Sequence, residues 1–197
     1  METILYETRA QYRALKRGDL LVRAGEIASA WEVKAGALVL QGGTVEGYGP
    51  VQVVLPGDIV GAESLFGDCH TFTSMAVMAT QLERVQIFDG VSAELTVQQA
   101  FRQQQRRQVE MAFLRSGAVR LRLTYLLQLL AQSNGLPDGL LRRELPALRV
   151  MASIIGAAPE TVCRELNALM PLTSTEASSC VVPLRQYPLS QTMRIAA

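Results

Sequence analysis

Leu148-Arg-Val-Met-Ala-Ser-Ile-Ile-Gly156-Ala-Ala-Pro-Glu-Thr-Val-Cys-Arg-Glu-Leu-Asn-Ala-Leu169 reads as two short helices, Leu148–Ile155 and Glu160–Leu169, joined at a glycine. A small residue, Ala152, lies midway along the first, where two helices can cross closely. Gly156 supplies the tight turn between them. Pro159 can open the second helix, because the first helical position has no intrahelical N–H bond to lose. Val162, Leu166 and Leu169 recur at i, i+4 and i+7 and predict a buried face. The opposite face presents Glu160, Thr161, Arg164 and Asn167. This is helix–turn–helix grammar, whose second helix lays its N-terminal residues in the major groove. Arginine can read guanine through two acceptors, glutamate can accept from cytosine, and threonine can hold phosphate. A plain helical hairpin with a solvated polar face fits the same residues.

Upstream, Ala118 to Gln132 predicts a strongly apolar helix through Val119, Leu121, Leu123, Tyr125, Leu126, Leu127, Leu129 and Leu130. Ser116-Gly117 separates it from a long polar helix running from Ser92 to about Arg115, free of glycine and proline. Leu95, Phe101, Val109, Ala112 and Phe113 are its sparse apolar points. Such a helix needs a cover for its apolar stripe, either a partner helix from a second copy or the chain's own β domain. Ser133 to Gly139 predicts a loop, and Val181-Val182 with Met193-Arg-Ile195 a small hairpin in the tail.

Residues 18–88 read as β. Glycine and proline punctuate short apolar runs: Leu20–Val22, Ala37–Leu40, Val51–Leu55, Met75–Ala79 and Leu82–Phe88. Short strands at 8–12-residue spacing indicate a sandwich, jelly roll or barrel.

The chain has 197 residues, 49% of them apolar, and a mean hydropathy of +0.16. It can bury a core, and it lacks the 18 consecutive apolar residues of a membrane-spanning helix. The formal net charge of +1 hides an asymmetry. Residues 1–99 carry 7 basic and 12 acidic side chains, whereas residues 100–197 carry 12 arginines and 6 acids. All basic residues but Lys16 and Lys34 are arginine, whose planar fork suits phosphates and guanine edges. Genome composition alone would also enrich arginine. Three scattered cysteines (Cys69, Cys163, Cys180) fit a reducing cytoplasm better than a disulfide scaffold.

Three stretches, in order, resemble the CRP/FNR family of bacterial transcription regulators over nearly the whole chain. Gly25-Glu26 followed by Val33-Lys-Ala-Gly36 is similar to the early β roll. Pro56-Gly-Asp-Ile-Val-Gly61-Ala-Glu-Ser-Leu-Phe66 is similar to the segment opening the family's phosphate-binding cassette. Gly156 to Leu169, with Glu160-Thr-Val-Cys-Arg-Glu-Leu166, is similar to its recognition helix. Ala112-Phe-Leu114 adds a weaker match. The resemblance implies an α+β chain: an N-terminal jelly-roll-like β roll of cyclic-nucleotide-binding type (1–90), a long dimerisation helix (91–117), and a C-terminal winged helix–turn–helix (118–197). It implies DNA readout by Glu160 and Arg164; Thr161 and Asn167 share that polar face, and Arg149 is a candidate phosphate contact from its place on the preceding helix. Pro159 stands where cyclic-AMP-type members carry a first base-reading arginine, and Ala158 replaces their serine N-cap, a loss of about 1 kcal/mol.

The sensor half departs further from the resemblance. Ala62 and Phe72 fall where cyclic-AMP-binding members place the ribose glutamate and the phosphate arginine. A buried phosphate without a cation is costly, so cyclic AMP is not expected to bind in the usual way. Glu63 argues further against an anion. The candidate effector pocket comprises Gly61, Ala62, Glu63, Ser64, Phe72, Thr73, Gln104 and Gln105. The two glutamines could hold a neutral effector or simply be solvated. Cys69-His70 is expected to be an exposed loop pair rather than a haem or redox site, and no metal or cofactor is expected.

The reading that results is a cytoplasmic, homodimeric, sequence-specific DNA-binding regulator. Its partners are double-stranded DNA, a second copy and RNA polymerase, with an unidentified small-molecule effector and no membrane. The alternative is an effector- or partner-binding β-roll module with a degenerate DNA-binding domain, which Pro159, Ala158 and the irregular tail favour. An enzyme is disfavoured, because a single histidine supplies neither a metal-ligand cluster nor a nucleophile's base.

Overall fold

The computed structural model describes residues 11–44, 47–133 and 142–171. The chain forms two compact units, Met1–Ala112 and Phe113–Ala197.

The first unit is a jelly roll. Its strands are β1 (Tyr12–Leu15), β2 (Leu20–Val22), β3 (Trp31–Ala35), β4 (Leu38–Thr44), β5 (Gly47–Val54), β6 (Ile59–Val60), β7 (Thr73–Ala76) and β8 (Thr80–Arg84). They form two antiparallel four-stranded sheets, ordered β1-β8-β3-β6 and β2-β7-β4-β5. This is the double-sheet arrangement that lets two inner faces share one core. In β8, Thr80 and Leu82 are buried while Gln81 is exposed, the alternation that puts one face of a strand inside. Val33, Leu38, Val54 and Leu82 meet in the core with Leu15, Val22, Val60 and Ala76. Each large aliphatic side chain there contributes about 1.5–3 kcal/mol on burial.

The β region begins before residue 18. The sequence pattern does not predict β1, since only its Leu15 is buried, and pairing with β8 rather than its own pattern makes it a strand. The run Leu82–Phe88 ends as strand at Arg84, and Met75–Ala79 at Ala76.

Helix α1 (Gly90–Arg115) opens on a reciprocal cap. The Ser92 N–H donates to Asp89 Oδ1 at 2.7 Å, and the Asp89 N–H donates to Ser92 Oγ at 3.0 Å. Its polar side, not its apolar points, meets the roll. Gln99 Nε2 donates to the Gly57 carbonyl, Gln103 bridges the Ile59 N–H and C=O, and Arg106 and Arg107 reach Asp58. Leu95, Phe101 and Val109 stay 60%, 61% and 54% exposed. The roll therefore does not cover the apolar stripe, because hydrogen bonds to the β5–β6 turn fix which side faces inward.

The second unit packs α2 (Val119–Ser133), α3 (Leu148–Ile155) and α4 (Pro159–Leu169) against one another. Leu123, Leu126, Leu127, Leu130, Met151, Ile154, Ile155 and Val162 are buried here, as is the small Ala152. Gly156 closes α3 in the left-handed region (φ 60°), and the Ala157 N–H donates to the Ala152 carbonyl. Arg122 Nη1 donates to the Ile155 and Gly156 carbonyls, pinning the turn to α2. The Phe113 and Tyr125 rings meet edge to face at 6.0 Å. Ser133 ends α2 instead of opening a loop; the rest of that expected loop and the expected tail hairpin lie outside the described residues.

Candidate functional site

Two places concentrate polar chemistry: one face of α4 in the second unit and a cleft in the first. Helix α4 starts after Ala158, whose backbone is extended and which offers no side-chain cap, with Pro159 in the first turn. Val162 and Leu166 bury one face. Pro159, Glu160, Arg164 and Asn167 are exposed and Thr161 is half-buried. Glu160 and Arg164, four residues apart, share one side of the helix. The Arg164 side chain is 74% exposed, with Nε 4.0 Å from the Glu165 carboxylate, so its guanidinium is available to an incoming partner. Arg149 is exposed on α3.

Asn167 is exposed but engaged. Its Oδ1 accepts from Arg142 Nη2 at 2.5 Å, while Arg142 Nη1 donates to the Met170 carbonyl at 2.6 Å. Arg142 thus holds the C-terminal end of α4, where cations are favoured by the helix dipole. The sequence reading missed Arg142; the Arg142-Arg143 doublet in the basic half was its only trace. Among the described residues this unit carries seven arginines against three glutamates, a positive balance that suits a polyanion.

The cleft in the first unit has a volume of about 130 Å³. Gly61, Ala62, Glu63, Phe72 and Gln104 line it, as the expected pocket had them. Ser64, Thr73 and Gln105 do not. Ser64 Oγ turns back to donate to the Gly61 carbonyl at 2.7 Å, and Thr73 Oγ1 accepts from the Ala24 N–H at 3.1 Å. Gln105 is exposed, one residue and so about 100° around α1 from Gln104. Gln52, Gln103 and His70 take part instead.

His70 corrects the expectation of an exposed pair: Cys69 is exposed, but His70 is only 2% exposed. Its Nε2 lies 3.3 Å from the Ala28 carbonyl. A Cβ on Gly61 would sit 2.0 Å from His70 Cε1, so the imidazole lies directly on that glycine. Phe72 similarly packs on Gly42, 3.1 Å from where a Cβ would stand. These cross-chain contacts leave no local signal in the sequence. Among the described residues no three of His, Cys, Asp and Glu come together to hold a metal.

Asp58, next in sequence to the cleft's Ile59, is fully buried and accepts from the Leu55 N–H, from Arg106 Nη2 and from Arg107 Nε. Arg107 Nη1 also donates to Glu110. Burial would lower the Arg107 pKa, but the bonds and charges of Asp58 and Glu110 outweigh it and raise it above the ordinary guanidinium value.

No protein-family model matches the sequence, and no curated protein matches it. Solved structures do. A CRP-family transcriptional regulator from Thermus thermophilus aligns with a TM-score of 0.68 at 20% identity, over 87% of this chain and 92% of that one. FixK2 from Bradyrhizobium japonicum aligns with a TM-score of 0.66 at 17% identity, over 89% and 93%. CLP of Xanthomonas campestris, a c-di-GMP-responsive global regulator, gives 0.58 at 16%, over 87% and 93%. The fold of this chain is therefore the one these transcription regulators share.

Proposed function

We propose that this chain is a transcription regulator of the CRP/FNR type that binds double-stranded DNA as a homodimer. The observation that carries the reading is the free face of α4, where Glu160 and Arg164 stand exposed on one side of a helix in an arginine-rich unit. Arg164 reads a guanine edge and Glu160 accepts from a cytosine amine. Thr161 and Arg149 hold phosphates, and Pro159 lies against the duplex without reading a base. Asn167 contributes through its bond to Arg142, which steadies the helix, more than through a base contact.

The uncovered apolar points of α1 support the dimer. Val91, Leu95, Phe101 and Val109 are each more than half exposed, and a second copy of the helix would bury them. Two-fold symmetry then calls for a pseudo-palindromic site with half-sites about one helical turn apart. The cleft is the effector site, with Gly61, Ala62, Glu63, Phe72 and Gln104 in its wall, and RNA polymerase is the further partner.

The uncapped Ala158, the apolar Pro159 and the engagement of Asn167 favour a second reading, in which DNA binding is residual and the roll is the working part. Selection of genomic DNA fragments by the purified chain separates the two. Enrichment of one inverted-repeat sequence supports the regulator; no retention of any fragment at low salt supports the second reading.

A further inference from the structure

We infer that the cleft of the β roll takes a small planar organic cation, of about the size of benzamidinium, rather than an anionic nucleotide; the inference rests on reading that cleft as the effector site. Its wall contains no lysine or arginine. It does contain Glu63, whose carboxylate no lysine or arginine pairs with among the described residues. One oxygen of that carboxylate accepts from the Thr71 N–H at 2.9 Å, which fixes the group without neutralising it. The nearby arginines do not compensate: Arg107 is committed to Asp58 and Glu110, and Arg106 to Asp58.

The remaining walls suit a flat cation. Phe72 presents a ring, seated on Gly42, and a cation within about 6 Å of a ring centroid is attracted to its face. His70 is seated on Gly61. The Ala28 carbonyl beside its Nε2 can only accept, so Nε2 carries a hydrogen. Gln103 spends both ends of its amide on Ile59, so it shapes the wall without serving the ligand. Gln52 and Gln104 keep amides free for a polar rim. At about 130 Å³ the cleft is smaller than the roughly 150 Å³ apolar cavity that takes up benzene, so benzamidinium would sit partly in its open mouth rather than be enclosed. An anion here would meet Glu63 with no compensating cation.

Three molecules of one shape and different charge test this: benzamidinium, neutral benzamide and anionic benzoate, each titrated calorimetrically into the full chain at millimolar concentration. Benzamidinium is expected to bind, benzamide about tenfold more weakly, and benzoate not at all. Glu63→Gln, which keeps an acceptor for the Thr71 N–H, is expected to bring benzamidinium down to the benzamide level with the unfolding temperature unchanged. Phe72→Leu should weaken benzamidinium more than benzamide. Benzoate or cyclic AMP binding as tightly as benzamidinium, no binding by any of the three, or an undiminished preference in Glu63→Gln would overturn the inference. Retention of DNA is measured on the same preparations, so that a cation failure with DNA retained sinks this inference alone, and cation binding without DNA retention sinks only the regulator.

Discussion

Arg107 Nε lies 2.7 Å from Asp58 Oδ2, and both side chains are almost wholly shielded from water, at 5% and 0% exposure. The pair ties the β5–β6 turn to the middle of α1, and Glu110 takes up the other side of the guanidinium. A buried pair of this kind contributes little net stability against an apolar replacement, but removing one partner strands the other. Asp58→Ala is therefore expected to cost about 3 kcal/mol in a urea titration of the full chain. Arg106 also reaches Asp58, but its side chain is 54% exposed, so Arg106→Ala should cost less than about 1 kcal/mol. Equal midpoint shifts for the two variants would contradict this division of roles.

Gly61 carries two constraints at once, a left-handed backbone (φ 78°) and the imidazole of His70 against its α-carbon. Gly57 has the same kind of backbone (φ 83°) with open space around it. Gly57→Ala should cost about 1 kcal/mol from the backbone alone. Gly61→Ala adds an overpacking penalty of about 1–3 kcal/mol. Thermal unfolding of both variants measures the difference, and its absence would mean that His70 yields freely.

The start of α1 should respond to acid. The backbone N–H of Ser92, and after it the Ser92 hydroxyl, hold the Asp89 carboxyl below its ordinary value of 3.8. A carboxyl depressed in the folded state adds stability above the unfolded pKa and loses it as pH falls through the folded one. Asp89→Asn should thus unfold at a lower temperature than the parent chain near neutrality, with the gap narrowing as pH falls below 3.8. A gap that is constant from neutrality into acid would show that the charge plays no part.

Arg142 joins two functions that proximity in sequence does not suggest, capping the Met170 carbonyl and holding Asn167. Arg142→Ala is expected to cost about 1.5–3 kcal/mol of unfolding free energy through the lost charge-assisted bonds. If Asn167 works through that clamp, Asn167→Ala in the Arg142→Ala background should add little. Fully additive losses would separate the two residues.

Much of this architecture is legible from local rules. Gly156 and Pro159 announce the turn and the start of α4, since each residue type answers a backbone requirement a reader can name. The glycine-punctuated runs between Gly18 and Phe88 likewise announce a β domain. What stays hidden is whatever partners far along the chain decide. β1 is a strand because β8 pairs with it. His70 reads as a loop residue because Gly61, which receives its ring, lies nine positions away. The side of α1 that meets the roll is chosen by Asp58, Gly57 and Ile59, which the apolar pattern of the helix does not announce. Asn167 looks free because Arg142 lies beyond any helical spacing.

The most direct measurement compares the affinity of the full chain and of Arg164→Ala for a selected inverted repeat and for random DNA at one salt concentration. The account predicts that Arg164→Ala loses about 1–3 kcal/mol on the selected sequence, keeps its random-DNA affinity, and unfolds at the parent temperature. A variant that discriminates between the two DNAs as well as the parent, or a parent that discriminates not at all, would contradict it.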